Sequence, residues 1–371
     1  MKRGKETAFA AGGLRRVKGE SRMDRSVASS ARIYKYDHLR AVLMLLVVAG
    51  HLIDCVPDAG QYPMLCRVSL WIYGFHMPAF IFLSGLFYKD GRAREKAVQF
   101  FAIGLLMRTV MFLVRMLLFG DTGVDVLHES GAPWYMYVMG CYQLVMALLR
   151  GMNRKALLPL AVLASLMIGY TAAFGDFLAL TRAIAFFPLF LLGTMIDRER
   201  LCAATSRVWL KLPAAALLIG WGVLAACGYD TVNTVRILFS GRNTYALLRP
   251  ELQPFGPLLR LLCMAGALLM TLALLCLMPG RKLPVLTACG ARTFGVYFWH
   301  MPVLYVLQAC GVGALLAQTA AGRWAFLALA VPILLLLSLP PFDFPTGTIR
   351  RHLRQDPAGG SDANKKENGG S

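Results

Sequence analysis

Arg40 and His51 share the apolar stretch RAVLMLLVVAGH, with ten uncharged residues between them. Eleven positions at about 100° each leave a residual rotation of only about 20°, so on a helix both side chains leave from one face. They are then about 16 Å apart along the axis, roughly half the hydrocarbon thickness of a bilayer. A cation and an imidazole held in register inside lipid are expensive, and such residues mark function. The guanidinium suits a phosphate or carboxylate oxygen. The imidazole suits proton transfer near neutral pH.

Other polar residues fall at matching depths. His76 in FHMPAFIFLSG and His300 in VYFWHMPV sit, like His51, in the outer parts of apolar runs. Arg182 in LTRAIAFFPLF and Arg260 in PLLRLLC do the same. Arg40, Arg292 and the basic segment KDGRAREK (89–96) lie toward the opposite side. The expectation is an outer and an inner polar group joined by the first span. Each member has a structural alternative. Pro78 and Pro302, two residues after His76 and His300, free a helical carbonyl that a polar side chain can satisfy. Arg40 alone could be a snorkelling anchor, and Asp37 is placed to pair with it or to cap the helix start.

The elements that hold these residues follow from composition. The 371-residue chain is 57% hydrophobic with a mean hydropathy of +0.56, too apolar for a soluble domain of this size. The reading is an all-α, polytopic transmembrane bundle of about ten spans: 40–56, 68–88, 97–119, 132–149, 156–174, 177–195, 212–229, 256–278, 285–308 and 322–341. Residues 1–33 and 346–371 read as polar tails without fixed structure on either side of a membrane domain at 34–345. The external segment 230–255 is too rich in regularly placed apolar residues for a pure linker and is expected to fold over the bundle.

The net charge of +19 does not indicate nucleic acid, because the cations sit in short loops and tails rather than on one soluble face. Ten Lys and Arg precede Asp37 against three acids, and further clusters fall at 89–96, 150–155, 197–211, 280–282 and 350–354. With a cytoplasmic start, the positive-inside rule places every one of these clusters and both termini in the cytoplasm, and the acidic segment DTGVDVLHESGA outside. The nine cysteines show no CxxC and no metal spacing, and no metal site is expected. Cys55 and Cys66 flank the first external turn, where an oxidising face permits pairing. There is no Walker loop and no G-x-S-x-G elbow.

At these residues the chain resembles the acyltransferase 3 family of integral-membrane acyltransferases. The resemblance rests on the Arg-x10-His of DHLRAVLMLLVVAGH, then FHMPAFIFLSGLFY, then GARTFGVYFWHMPV, and covers residues 34 to about 345. TRAIAFFPLFLLG and the later NTY further resemble the subgroup related to fucose 4-O-acetylases. The resemblance implies ten spans in a cell membrane (a bacterial plasma membrane), acetyl-CoA or another acyl-CoA as donor substrate, no bound cofactor, and a hydroxyl of a cell-surface or lipid-linked sugar as acceptor. It implies catalytic roles for Arg40 and His51. It leaves His76, His300, Arg182 and Arg260 as acceptor-side or oxyanion candidates. The RxxR that the family often carries near its third span is absent, and Arg92 and Arg94 of GRAREK are the nearest candidates for donor binding. A transporter or exporter of a small anionic or sugar substrate is the alternative reading, since outer His and Arg residues also suit a binding site.

Overall fold

The computed structural model describes residues 33–123, 131–175 and 177–355, of which 352–355 are described by backbone alone. These are helical, with no strand among them. In chain order the first part comprises α1 (Tyr34–Asp54), α2 (Pro63–Tyr73), α3 (His76–Leu86), α4 (Ala93–Phe119), α5 (Trp134–Leu148), α6 (Arg154–Met167), α7 (Leu180–Met195), α8 (Arg198–Thr205) and α9 (Lys211–Cys227). The remainder comprises α10 (Tyr229–Asn233), α11 (Arg236–Phe239), α12 (Gly256–Leu277), α13 (Pro284–Ala291), α14 (Thr293–Ala309), α15 (Val312–Ala317), α16 (Ala320–Ala328), α17 (Ala330–Leu337) and α18 (Thr346–Gln355).

Helical structure falls in each of the ten apolar segments, but six stretches are long and apolar enough to cross a membrane by themselves: Tyr34–Asp54, Pro63–Leu86, Ala93–Phe119, Val208–Cys227, Pro250–Leu277 and Ala320–Leu337. A seventh is reached if Leu180–Met195 and Arg198–Thr205, bent by 91°, count as one. The difference has a physical source. α5 has 15 residues and α6 has 14, short of the ~20 that a bilayer asks of a straight helix. The segment expected at 285–308 is divided at Arg292 into α13 and α14. The apolar residues that these helices turn outward, such as Leu117, Leu148, Leu212 and Ile219, form a surface that only lipid satisfies. The protein is a multi-pass membrane protein.

α1 is the hub. It packs against α2, α3, α12, α13, α14, α16 and α17, which is why its sequence is apolar nearly all round. Two contacts bring backbones together where only glycine fits. A Cβ on Gly290 of α13 would collide with the carbonyl of Asp37 in α1, and one on Gly85 of α3 would collide with that of Phe190 in α7. A second core, built from Ile81, Phe82, Val138, Tyr142, Phe186, Phe190 and Leu191, fills the space between α3, α5 and α7.

Segment 229–255 folds into α10, α11 and two 3₁₀ turns and docks by side-chain bonds to the bundle. The Tyr245 hydroxyl donates to the Leu166 carbonyl at 2.7 Å, and its ring meets Tyr170 edge-on. All nine cysteines are free thiols, so Cys55 and Cys66 are not joined. The expected tail at 346–371 is corrected over its first ten residues. Thr346–Gln355 is helix α18, held because it packs on α4 and α14 with Thr346 and Gly347 buried. The tails at 1–32 and 356–371 lie outside the described residues.

Candidate functional site

The stripe that begins at Arg40 runs up α1 through Met44 and Val47 to His51, one step per turn of the helix. A cavity of about 790 Å³ follows it. Arg40, Met44 and Val47 form one wall. The exposed end is lined by Lys89, Asp90, Arg92, Glu95, Lys96 and Arg350. The inner part is lined by Met77, Phe80 and Leu83 of α3, by Met136 and Met139 of α5, and by Tyr297 of α14. The wall contributed by α1 stops at Val47, one turn short of His51.

Four cations against two acids, with Arg40 adjoining them, leave the exposed end net positive. Arg40 is oriented on two sides: its Nη1 lies 3.2 Å from Asp37 Oδ1, and its guanidinium covers the Phe87 ring at 4.0 Å. The Arg350 guanidinium lies 4.8 Å over Phe294, which in turn stacks on Phe100. The Lys96 ammonium donates to the Lys89 carbonyl at 2.6 Å, which draws the 87–92 turn against the start of α4. Planar guanidiniums laid on aromatic faces keep their outward edges fixed for a bidentate oxyanion.

Beyond the other end of the cavity, two histidines meet. His300 Nε2 lies 3.2 Å from His51 Nδ1, with ring centroids 5.1 Å apart. His300 is fully buried, and its Nδ1 faces two backbone carbonyls, Tyr297 at 2.8 Å and Val296 at 3.2 Å. A carbonyl only accepts, so Nδ1 of His300 carries the proton and its Nε2 presents a lone pair. His51 Nδ1 must then be the donor between the two rings. The proton-free atom of His51 is Nε2, the form a general base needs. The tautomer of His51 is thus assigned through a chain that starts at the backbone of α14.

The sequence-expected residues divide accordingly. Arg40, with Arg92, is brought to the cavity; Arg94 does not line it. His51 and His300 are brought into contact. His76 lies beside them through Tyr73, whose ring meets it at 5.0 Å and whose hydroxyl donates to Asp54 Oδ2 at 2.5 Å. The His76 Nδ1 donates to the Ile72 carbonyl at 2.9 Å and so closes the break between α2 and α3. Neither His76 nor His300 turns to the carbonyl freed by the proline that follows it; both bind carbonyls three or four residues back. Arg260, 1% exposed, donates to the Ser165 and Asn243 carbonyls at 2.9 Å each and ties α12 to α6 and to the 229–255 segment. Arg182 lies over the Trp134 ring at 4.7 Å. Neither arginine lines the cavity.

Among the lining groups not singled out from the sequence are Arg350, Gln143, Gln99, Thr293, and the pair Ser84 and Tyr135, whose hydroxyls are 2.6 Å apart. Polarity inside an apolar run was the available signal for Gln143 in WYMYVMGCYQLVMAL. Arg350 gave none, because one arginine in the RRHLR cluster looks like its neighbours. No group of three or more His, Cys, Asp or Glu among the described residues could hold a metal ion. No curated protein and no solved structure matches the chain. The family model described as an acyltransferase domain matches residues 33–341, nearly all of the bundle that carries the cavity and the paired histidines, and the chain belongs to the acyltransferase 3 family of membrane acyltransferases.

Proposed function

We propose that this acyltransferase takes an acyl group, in the simplest case acetyl, from cytoplasmic acyl-CoA and delivers it to a hydroxyl of a cell-surface or lipid-linked sugar. The observation that carries the reading is the arrangement along α1: cations at the exposed end of a cavity, an apolar interior, and a histidine in its basic tautomer one turn beyond it. In this reading the chain crosses a bacterial plasma membrane ten times, its shorter helices included, and both termini and the cation-lined end face the cytoplasm.

The chemistry runs as follows. The donor's phosphates meet Arg40, Lys89, Arg92, Lys96 and Arg350, and its thioester reaches inward past Met44 toward Val47 and Tyr297. His51 Nε2 removes the proton of the sugar hydroxyl as the oxygen attacks the thioester carbonyl. The carbon–oxygen bond forms, the tetrahedral intermediate collapses with loss of the carbon–sulfur bond, and the imidazolium returns its proton to the departing thiolate. While His51 is charged, its Nδ1–H donates to the neutral His300 Nε2, which strengthens that hydrogen bond. His300 passes no proton onward, because its own Nδ1–H is held by carbonyls. It is a positioning residue.

His51→Ala tests the proposal. General-base catalysis contributes roughly 10²- to 10⁴-fold, so envelope glycans of cells carrying the variant as sole copy should be nearly free of ester-linked acyl groups at normal expression. Normal glycan acylation by that variant would exclude the base role, and uptake of unmodified solute by proteoliposomes would then favour the transporter reading.

A further inference from the structure

The chemistry above leaves one charge without a partner. When the sugar oxygen attacks, the thioester carbonyl oxygen becomes negative, and a preplaced donor for that oxygen is worth a large share of the rate. Arg182 and Arg260, the residues expected in that role, do not line the cavity, and Lys89, Arg92, Lys96 and Arg350 gather at its exposed end. Tyr297, in the inner part, gives its hydroxyl proton to the Ala132 carbonyl. The pair Ser84 and Tyr135 differs. Two hydroxyls hold two protons, and the single hydrogen bond between them uses one. Neither residue has a second hydrogen bond among the described residues. A helical hydroxyl can turn to the carbonyl four residues back, as Thr271 does to Ala267 and Ser338 to Leu334; Ser84 faces Tyr135 instead. Both residues are half-buried and line the cavity, so the unspent proton has a place to go.

The position suits the task. Ser84 lies three residues before Phe87, the ring that Arg40 covers, and eight after His76, so it stands between the cations and the histidines. Gly85 beside it fixes α3 against the Phe190 carbonyl. The Tyr135 ring is held by Phe80 at 6.2 Å and by Tyr297 at 5.7 Å, and Tyr297 meets His300 at 5.7 Å. A base and an oxyanion donor stand on opposite sides of the reacting carbonyl. Two hydrogen bonds, the forming carbon–oxygen bond and the carbonyl itself separate them, about 7–10 Å in all. A donor one ring removed from His300 leaves that room; one touching His51 would not.

We propose that the Tyr135 hydroxyl is the oxyanion donor of this acyltransferase and that Ser84 is the positioning residue that gives its own proton to Tyr135 Oη. The order follows from acidity: in a chain of two hydroxyls that ends on an anion, the phenol is the stronger acid and takes the terminal place, and the bond it accepts from Ser84 strengthens the one it gives. As the carbon–oxygen bond forms, the carbonyl electron pair moves onto oxygen under the Tyr135 O–H; it returns when the carbon–sulfur bond breaks. Tyr135 keeps its proton throughout. The inference rests on the reading of the cavity as a thioester site served by His51.

The test measures transfer of labelled acetyl from acetyl-CoA to native envelope glycan in membranes that carry each variant as sole copy. Binding of S-propyl-coenzyme A, a thioether without the carbonyl, reports an intact donor site. Tyr135→Phe should lower kcat roughly 10²- to 10³-fold, with donor KM and probe binding unchanged. Ser84→Ala should lower kcat only about three- to tenfold, and the double variant should be no worse than Tyr135→Phe alone. A pair that merely cross-linked α3 to α5 would behave otherwise, because both single variants break the same hydrogen bond. Equal kcat for the two, or a Tyr135→Phe protein that binds the probe and works within about threefold of wild type, overturns the proposal. If Tyr135→Phe does not bind the probe, Ser84→Thr decides: it keeps the hydroxyl and should restore the kcat that Ser84→Ala loses, and equal kcat of those two overturns the proposal. A wild type that neither binds the probe nor transfers acetyl would fail at the donor reading itself, and the role of Tyr135 would fall with it.

Discussion

His300 offers a test of the tautomer argument that separates its two nitrogens. Asparagine places its carboxamide about where imidazole Nδ1 lies, and glutamine about where Nε2 lies. His300→Asn should keep a donor for the Tyr297 carbonyl, now accepting at 2.8 Å, and lose the acceptor that holds His51 Nδ1–H at 3.2 Å. His300→Gln should keep that acceptor as Oε1. A hydrogen bond to a charged group contributes about 1.5–3 kcal/mol net and one between neutral groups ~0.5–1.5 kcal/mol. His51 becomes charged as it takes the proton, so the larger figure applies at the transition state. At ~1.4 kcal/mol per tenfold, His300→Asn should slow acyl transfer by roughly ten- to a hundredfold, and His300→Gln by only a few-fold. The assay is transfer of labelled acetyl from acetyl-CoA to glycan in membranes, with donor KM measured separately. That KM should not move, because His300 lies outside the cavity wall. Equal activity of the two variants at matched expression, or a change confined to donor KM, would refute the assignment of the base tautomer through His300.

Arg40→Lys keeps the charge but loses both the planar fork and the stack on Phe87, so donor KM should rise about tenfold or more with expression unchanged; full activity at limiting donor would make Arg40 a topological anchor. Gly290→Ala forces a methyl group against the Asp37 carbonyl. It should cost about 1–3 kcal/mol of stability, seen as a lower Tm in detergent, and should weaken donor binding because Asp37 orients Arg40. In a cysteine-free background, Thr122→Cys should react with an impermeant thiol reagent in intact cells and Ala93→Cys should not; reversed labelling would overturn the membrane orientation and the cytoplasmic donor with it.

Much of this was legible in the sequence because lipid and water impose simple rules. Apolar stretches must be helical to satisfy their own backbone in a bilayer, so an all-helical multi-pass chain follows from hydropathy alone. The facing of Arg40 and His51 follows from helix periodicity, and the Arg40–Asp37 pair from a spacing of three. Number and length of spans were less legible. A break such as that at Arg292, or the one that His76 closes behind Tyr73, depends on which carbonyls find partners in neighbouring helices. The division of labour among polar residues was decided wholly by tertiary structure. Arg260 and His300 look equivalent in sequence, each one polar group at similar depth in an apolar run. Packing gives Arg260 two backbone carbonyls to bind, and it turns His300 toward His51. Arg350, 310 residues after Arg40, joins the same cavity because α18 folds back onto α4 and α14. Local periodicity reaches one turn of helix at a time; which helices face one another is set by close backbone approach and by the matching of buried polar groups across the bundle.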